Sequence, residues 1–201
     1  MLPYLEKGDL SGIPEGTPDS DITRWSAQLI TAVEAMHING FVHADIKPKN
    51  IGLTARGKEK IVLFDFGLSM RKDRIRARVG TATTMAPEMA LKEYEDTLLT
   101  DAIDWWSVGS TIWQLFAMAR IPKEKRTEKK RQIYPYELIR DKKTGEYLHY
   151  VNNPFPSHFS TELKSLVSML MDPIPENRRF DLFIHRLKGH PLFSSIDWNS
   201  L

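Results

Sequence analysis

The chain has 201 residues, of which 41% are hydrophobic and 27% charged, a composition typical of one globular domain with a sizeable core. A formal net charge of +2 is too small to indicate nucleic-acid binding across the whole surface, and the lack of cysteine excludes disulfides, thiolate metal sites and a cysteine nucleophile. Since the sequence shows neither a secretory signal nor an apolar run long enough to span a bilayer, we expect a soluble, intracellular protein without nucleic-acid or membrane partners.

The first predicted helix follows a short segment, residues 10–18, whose two glycines and two prolines indicate a loop or a short helix. N-cap candidates come next at Asp19, Ser20 and Asp21. Gly40 is expected just after the end of the helix. Between these limits apolar residues recur at helical spacing, namely Ile22, Trp25, Leu29, Ile30, Val33 and Met36.

A small β-hairpin is predicted from two short apolar runs, residues 51–53 and 61–64, which a polar turn at 54–60 separates. A helix from near Thr100 to Met118 is apolar on all sides, so we expect it in the centre of the domain. Two further helices are predicted at 161–171 and 179–187. The expected fold class is therefore α+β and mainly α.

Residues 119–131 form a basic connector after the central helix. A solvated connector is the simpler interpretation, and a docking patch for an acidic partner is the alternative. Against two acidic residues, Glu124 and Glu128, the connector holds seven basic ones: Arg120, Lys123, Lys125, Arg126, Lys129, Lys130 and Arg131.

Four short motifs follow one another in the first half of the chain. They are HAD at 43–45, DIKPKN at 45–50, DFG at 65–67 and APE at 86–88. In this order and at these spacings they resemble the HRD, catalytic-loop, DFG and APE motifs of eukaryotic-type protein kinases of the Ser/Thr class. The resemblance implies the C-terminal lobe of such a kinase, with the β-hairpin carrying the catalytic loop and DFG.

The resemblance also implies a chemistry, the transfer of the γ-phosphoryl group of ATP to a Ser or Thr hydroxyl of a protein substrate. Asp45 would accept the proton of that hydroxyl, and Lys47 would stabilise the transferring group. Oxygen donors of the Asn and Asp type suit Mg²⁺. The implied catalytic residues are Asp45, Lys47 and Thr81; the implied cofactor-binding residues are Asp9, Lys47, Asn50 and Asp65, of which Asn50 and Asp65 would bind the metal and Asp9 the ribose.

Plainer alternatives exist for several of these residues. A single Asp in a loop is most often a helix cap or a surface charge, although the surrounding HADIKPKN argues against this for Asp45. Asp65 follows an apolar strand and could cap a turn, and Thr81 could be a simple turn residue.

Other residues are interpreted as scaffold. By resemblance, His43 is expected to pack against the DFG backbone and Asp104 to accept hydrogen bonds from the catalytic-loop backbone. Glu88 of the APE motif is expected to form a buried ion pair with Arg178.

Two departures from the family concern regulation and substrate. Ala44 stands where the family has an Arg that meets a phosphorylated residue, and residues 70–80 contain no Ser, Thr or Tyr. Activity is therefore predicted not to require phosphorylation of this segment. The same segment is basic, which favours acidic residues near the target hydroxyl of the substrate, or equally a charged loop with no part in recognition. Its basic residues are Arg71, Lys72, Arg74, Arg76 and Arg78, against Asp73.

The third departure is at the start of the chain, where MLPYLEKGDL resembles the hinge between the two lobes of the family. The Gly-rich phosphate loop, strand lysine and helix-C glutamate of the N-terminal lobe do not occur in these 201 residues. We therefore expect a partial kinase domain over 1–201, starting at the hinge, with its C-lobe at 10–193 and the N-lobe absent. Three interpretations stay open: a kinase whose N-lobe comes from a partner or a missing segment, a catalytically impaired binding module, and a fragment of a longer kinase.

Overall fold

A computed structural model describes residues 8–54, 60–76, 79–91 and 98–201. Within these ranges the helices are α1 (Asp19–Ile38), α2 (Pro87–Ala90), α3 (Ala102–Met118), α4 (Lys130–Ile133), α5 (Thr161–Leu170) and α6 (Phe180–Lys188). The strands are β1 (Phe41–Val42), β2 (Ile51–Leu53), β3 (Ile61–Leu63), β4 (Met70–Arg71), β5 (Tyr136–Arg140) and β6 (Tyr147–Asn152). None of the described helices combines the length and the apolarity that crossing a membrane requires.

Helix α3 forms the centre of the fold, as its all-round apolar sequence predicts. All 17 of its residues are buried, and it packs against both α1 and α5. The contact with α5 is close at Gly109, where a Cβ atom would lie 2.7 Å from side-chain atoms of Leu170 and Met171. A larger residue at this position would therefore push the two helices apart.

Helix α1 confirms the predicted helix and corrects its start. The N-cap residue is Pro18, so Asp19 and Asp21 lie in the first turn and do not cap it. Carboxylates in that turn still interact favourably with the partial positive charge of a helix N-terminus. Gly40 follows the end of the helix at φ +80°, a conformation that glycine adopts without strain.

Among the described residues, three two-stranded antiparallel sheets are formed: β1–β4, β2–β3 and β5–β6. The β2–β3 pair is the predicted hairpin, with Ile51 opposite Leu63; residues 55–59 of its predicted turn lie outside the described residues. The β1–β4 and β5–β6 pairs were not predicted. Strands β1 and β4 have two residues each, too few for an alternating pattern to be recognised.

The basic connector is more ordered than a solvated loop. Lys123–Lys125 forms a 3-10 helix, and Arg120 donates a hydrogen bond of 2.7 Å to the carboxylate of Asp19. Arg126 is fixed to the protein backbone, because its guanidinium donates to the carbonyl groups of Ser11, Ile13, Met118 and Ile121. The simpler interpretation was therefore wrong for Arg126.

A buried ion pair joins α2 to the segment before α6, as the APE motif predicts. Nη2 of Arg178 lies 2.8 Å from Oε1 of Glu88, and the two side chains are 0% and 1% exposed. Arg178 also donates to the carbonyl groups of Ala102 and Asp172, and its guanidinium lies 5.4 Å from the centre of the Trp106 ring. The arginine thus connects four parts of the chain.

Replacing this arginine tests how much the pair stabilises the fold. We expect Arg178→Ala to lower the free energy of unfolding by about 3–5 kcal/mol, because the carboxylate of Glu88 would be left buried without a counter-charge. Denaturant unfolding measures the change. Arg179→Ala is the matched control, since Arg179 is the exposed neighbour and its loss should change little. Equal unfolding curves for the two variants would contradict the structural importance of the pair.

Candidate active site

The loop of residues 43–50 connects β1 to β2, and its last three residues, Pro48–Asn50, form a 3-10 helix. Its backbone is strained at Ala44, which has φ 64°; in the described residues only Asp65 shares such a left-handed conformation among the non-glycine residues. Two hydrogen bonds to a carboxylate stabilise the strained turn. The amide of His43 donates to Oδ2 of Asp104 at 2.8 Å, and the amide of Ala44 donates to Oδ1 at 2.9 Å.

Asp104 lies on α3 and is fully buried. Nε2 of His37, on α1, lies 2.9 Å from its Oδ2 atom. Burial alone would raise the pKa of the Asp104 carboxyl, but the hydrogen bonds from His37 and from the two loop amides keep this pKa below its ordinary value. Asp104 is therefore ionised at neutral pH and confirms the predicted anchor for the loop backbone.

Four of the predicted site residues meet at the carboxylate of Asp45. Thr81 Oγ1 donates to Oδ1 at 2.6 Å, and Lys47 Nζ donates to Oδ2 at 2.6 Å and to Thr81 Oγ1 at 2.8 Å. Asn50 Nδ2 donates to the main-chain oxygen of Asp45 at 2.9 Å and to Oδ2 at 3.1 Å. These contacts hold the carboxylate, the ammonium group and the hydroxyl in one orientation.

His43 connects this loop to the strand that precedes DFG, as predicted. The amide of Asp45 donates to its Nδ1 at 3.3 Å, so the ring proton is on Nε2, which donates to the carbonyl of Phe64 at 3.2 Å. The amide of Phe64 in turn donates to the carbonyl of Asn50 at 3.0 Å. The hairpin therefore brings the residue before DFG next to Asn50.

Asp65 lies one residue beyond that contact, with an exposed side chain and a left-handed backbone at φ 63° and ψ 69°. Its Oδ1 atom accepts a hydrogen bond of 3.4 Å from the amide of Gly67. Because the two hydrogen bonds of Asn50 use its Nδ2 donor, its amide oxygen can serve as a metal ligand alongside the Asp65 carboxylate. Among the described residues no group of three or more His, Cys, Asp or Glu side chains could hold a metal. The amide oxygen of Asn50 and the carboxylate of Asp65 nevertheless fit Mg²⁺, which commonly takes one or two protein ligands and completes its shell with phosphate oxygens and water.

Asp9 does not join the cluster around Asp45. Its Oδ1 atom accepts from the amide of Ser11 at 2.8 Å and caps the 3-10 helix Leu10–Gly12. Its backbone is bridged to Gly52 in β2, which places it beside the hairpin. The role of Asp9 at a ribose stays a prediction, and residues 1–7 of the expected hinge lie outside the described residues.

Three side chains that the sequence analysis missed fix residues 83–85, which precede the APE motif. The phenol of Tyr136 donates from β5, and burial raises its pKa, so it stays a donor at neutral pH. Ser107 and Ser110 lie three residues apart on one face of α3. The contacts are Ser110 Oγ to Thr83 O at 2.8 Å, Ser107 Oγ to Thr84 O at 2.7 Å and Tyr136 Oη to Met85 O at 2.7 Å.

The basic segment after DFG is tied to the fold at Lys72. Its amide donates to the carbonyl of Gly40 at 2.9 Å, and its Nζ forms an ion pair with Asp101, the residue that begins α3 as its N-cap. Asp101 also lies 3.9 Å from Nδ1 of His37. Lys72, His37 and the two aspartates therefore connect this segment to the 43–50 loop. Arg78, at the other end of the segment, lies outside the described residues.

Gly80 makes the approach of Thr81 to Asp45 possible. It has φ +109°, and a Cβ atom there would lie 2.6 Å from the carbonyl oxygen of Ala44. No side chain fits between these two backbone segments. The close approach places Thr81, the next residue, within hydrogen-bonding distance of Asp45.

Comparison with known proteins adds independent findings. A family model described as "Protein kinase domain" matches residues 1–193. Serine/threonine-protein kinase SCH9 of Saccharomyces cerevisiae is 33% identical over 179 residues, which cover 87% of this chain and 19% of that protein. Serine/threonine-protein kinase gad8 of Schizosaccharomyces pombe is 31% identical, and the match covers 87% of this chain and 28% of that protein. Citron Rho-interacting kinase of Mus musculus is 30% identical, and the match covers 100% of this chain and 10% of that protein. The chain thus spans well under a third of each of these relatives.

Substitution of Gly80 tests the close approach. We expect Gly80→Ala to lower the free energy of unfolding by more than about 2 kcal/mol beyond a matched control, because its Cβ would collide with the Ala44 carbonyl. Gly16→Ala is that control: Gly16 has φ +80°, but no neighbouring atom would lie within 4 Å of an added Cβ, so the change measures backbone strain alone, about 1 kcal/mol. Thermal unfolding of the two variants gives the comparison, and equal losses would show that the contact is not constraining.

Proposed function

The chain belongs to the eukaryotic-type protein kinase family, and from this premise we propose that it transfers the γ-phosphoryl group of ATP to a Ser or Thr hydroxyl of a protein substrate. The observation that carries the proposal is the cluster of Asp45, Lys47 and Thr81, in which each residue is hydrogen-bonded to the other two at 2.6 to 2.8 Å. The names of the relatives, which describe serine/threonine kinases, support the same reaction class.

Asp45 is proposed as the base that accepts the proton of the substrate hydroxyl. Its side chain is 9% exposed, so little of it is open to solvent, and the hydrogen bonds from Thr81 and Lys47 fix its orientation. A base held in one orientation does not have to be ordered again each time a substrate binds, which lowers the entropic cost of reaching the transition state.

Lys47 is proposed to stabilise the negative charge that moves with the phosphoryl group. Its ammonium group contacts Asp45, and its side chain is 22% exposed, so that a substrate in front of the loop can reach it. Thr81 accepts a hydrogen bond from Lys47 and donates one to Asp45. The threonine thereby links the segment that would hold the substrate to the proposed base.

Asn50 and Asp65 are proposed to hold Mg²⁺, and Asp9 the ribose of ATP. When bound, Mg²⁺ would neutralise negative charge on the phosphates. Asn50 is 3% exposed and rigidly held by its contacts to Asp45, whereas Asp65 is exposed at the open end of the hairpin. The pair therefore combines a fixed amide with a carboxylate that solvent and phosphates can reach.

We further propose that these residues act as a C-lobe and that a partner or another segment supplies the N-lobe. The surface around DFG is apolar and open: Phe41, Phe66 and Leu68 are 43%, 50% and 38% exposed. Phe41 and Phe66 also border a cavity of about 500 Å³. Exposed apolar patches of this kind usually mark an interaction surface. A catalytically impaired binding module, using the same surface, is the alternative function.

Phosphorylation of the segment after DFG is proposed to be unnecessary. Ala44 cannot bind a phosphate, but the ion pair of Lys72 with Asp101 already attaches the segment to the base of α3. Farther along the chain, Ser107 and Tyr136 donate hydrogen bonds to the carbonyl groups of Thr84 and Met85, just before the APE motif. These contacts form without a phosphate, which supports the proposal.

Nucleotide binding tests the proposed function first. We expect Mg²⁺-dependent binding of ATP, measured by calorimetry, and its loss by at least about tenfold in Asp65→Ala, because a metal ligand is removed. Asp45→Asn should keep nucleotide binding while lowering phosphoryl transfer to a protein substrate by at least about a hundredfold, because the amide cannot accept the proton.

The two variants control each other, since one removes a metal ligand and the other a base in the same small site. If the unsubstituted chain binds ATP but transfers no phosphoryl group, even after an N-lobe is supplied, the result would favour the binding module. Equal transfer by Asp45→Asn and the unsubstituted protein would contradict the role of Asp45.

Independence from phosphorylation is tested by treating an active preparation with phosphatase. We expect unchanged activity. Lys72→Ala should lower the transfer rate several-fold, because the segment after DFG loses its ion pair with Asp101. Lys143→Ala, which removes an exposed lysine elsewhere, is the control. Activity abolished by phosphatase would refute the proposal.

A further inference from the structure

A cavity of about 310 Å³ opens beside Lys47. The 43–50 loop forms one wall through Lys47 and Lys49, Thr83 of the segment before APE forms another, and Arg126 and Lys130 of the connector close the third side. Three separate parts of the chain therefore meet around one space, next to the residue that contacts Asp45.

The charge of this cavity is of one sign. Its lining includes four basic side chains, those of Lys47, Lys49, Arg126 and Lys130, and no Asp or Glu among the described residues that border it. Its other polar residues are neutral, among them Thr83 and Gln114. A space that concentrates positive charge attracts anions and disfavours cations.

The four cations differ in how free they are to bind a ligand. Arg126 is held by four backbone carbonyl groups and acts as a fixed positive wall. Lys47 is hydrogen-bonded to Asp45 and Thr81. Lys49 and Lys130 are exposed, and neither forms an ion pair with the residues that the structure describes. These two lysines can therefore turn toward an anion in the cavity.

In the basic segment after DFG, Arg71 and Lys72 are poorer candidates for binding an anion. Lys72 is already paired with Asp101, and Arg71 lies 3.2 Å from Asp73. Pairing with carboxylates of the same chain reduces the net charge that these residues offer to a ligand. Lys49 and Lys130 therefore offer an anion more unpaired charge than Arg71 and Lys72 do.

We propose that this cavity is a substrate subsite for an anionic side chain, either a phosphorylated residue or a carboxylate, close in sequence to the target hydroxyl. The inference rests on the proposed kinase function, because it takes Asp45 as the position of that hydroxyl. Lys49 and Lys130 would be the specificity-determining residues, with Arg126 supplying a fixed positive potential. A phosphorylated residue carries more charge than a carboxylate and should bind more tightly.

The test measures binding of short fluorescent peptides to the chain by anisotropy, which requires no catalysis. Each peptide has one target serine, and a phosphoserine, aspartate, alanine or lysine is moved one position at a time away from it. At a preferred spacing we expect the phosphoserine peptide to bind at least about tenfold more tightly than the alanine peptide, with aspartate between them. The preference should weaken as salt is added.

Charge reversal at the two lysines identifies the subsite. In the double variant Lys49→Glu and Lys130→Glu we expect the preference for an anion to disappear and the lysine peptide to bind better than alanine. The matched control reverses Lys123 and Lys143, two exposed lysines outside the cavity, and should keep the original preference. Equal melting temperatures would show that both double variants are folded.

Each result decides between the proposals. Equal affinity for anionic and neutral peptides at every spacing, no measurable binding of any peptide, or an anion preference that survives charge reversal would overturn the subsite. Phosphoryl transfer is measured separately with the same peptides. An anion preference without transfer, when transfer stays absent after an N-lobe is supplied, would support the subsite and contradict the kinase function, while transfer without a preference would do the opposite.

Discussion

The buried carboxylate of Asp104 accepts hydrogen bonds from the amides of His43 and Ala44 and from the ring of His37, and the geometry of the whole site depends on these contacts. They stabilise the left-handed conformation of Ala44, which would be unfavourable for a non-glycine residue without such contacts. Because Asp104 lies on α3, whose residues are all buried, the loop is attached to the central helix of the core. This attachment positions the residues that follow the turn in the same short loop, namely Asp45, Lys47 and Asn50.

Much of this arrangement could be predicted from sequence because it depends on short motifs and strong periodicity. The 3.6-residue pattern located α1 and α3, and alternation of apolar runs with a polar turn located the β2–β3 hairpin. The contacts of His43, Asp104 and the Glu88–Arg178 pair follow from the motif residues by family resemblance. The error at the start of α1 has a local cause: Pro18 fixes an extended cap conformation, so the three polar residues after it were not needed as caps.

Other contacts could not be predicted because they join residues with no sequence pattern in common. Tyr136 reaches Met85 from a hairpin 51 positions away, and Lys72 reaches Asp101 across 29; neither separation corresponds to a helical or strand period. The anionic character of the cavity's expected ligand also required the structure. In the sequence Lys49 belongs to a motif and Lys130 to a basic connector, and only the folded structure shows that the two border one cavity. Arg126 of the same connector borders it too, but its guanidinium is hydrogen-bonded to backbone carbonyl groups.

The β5–β6 hairpin separates its attachment point from its tip. Near its base, Tyr136 and Tyr150 pack edge-on against Trp106 at 5.5 and 5.8 Å, while the far end is an exposed turn in which the amides of Lys143 and Thr144 donate to the Asp141 side chain. Additions at such a turn leave the packing at the base untouched. The tip of this hairpin is therefore a natural insertion point for an affinity tag or a fluorescent reporter, through which the protein can be immobilised or followed without altering the residues around Asp45.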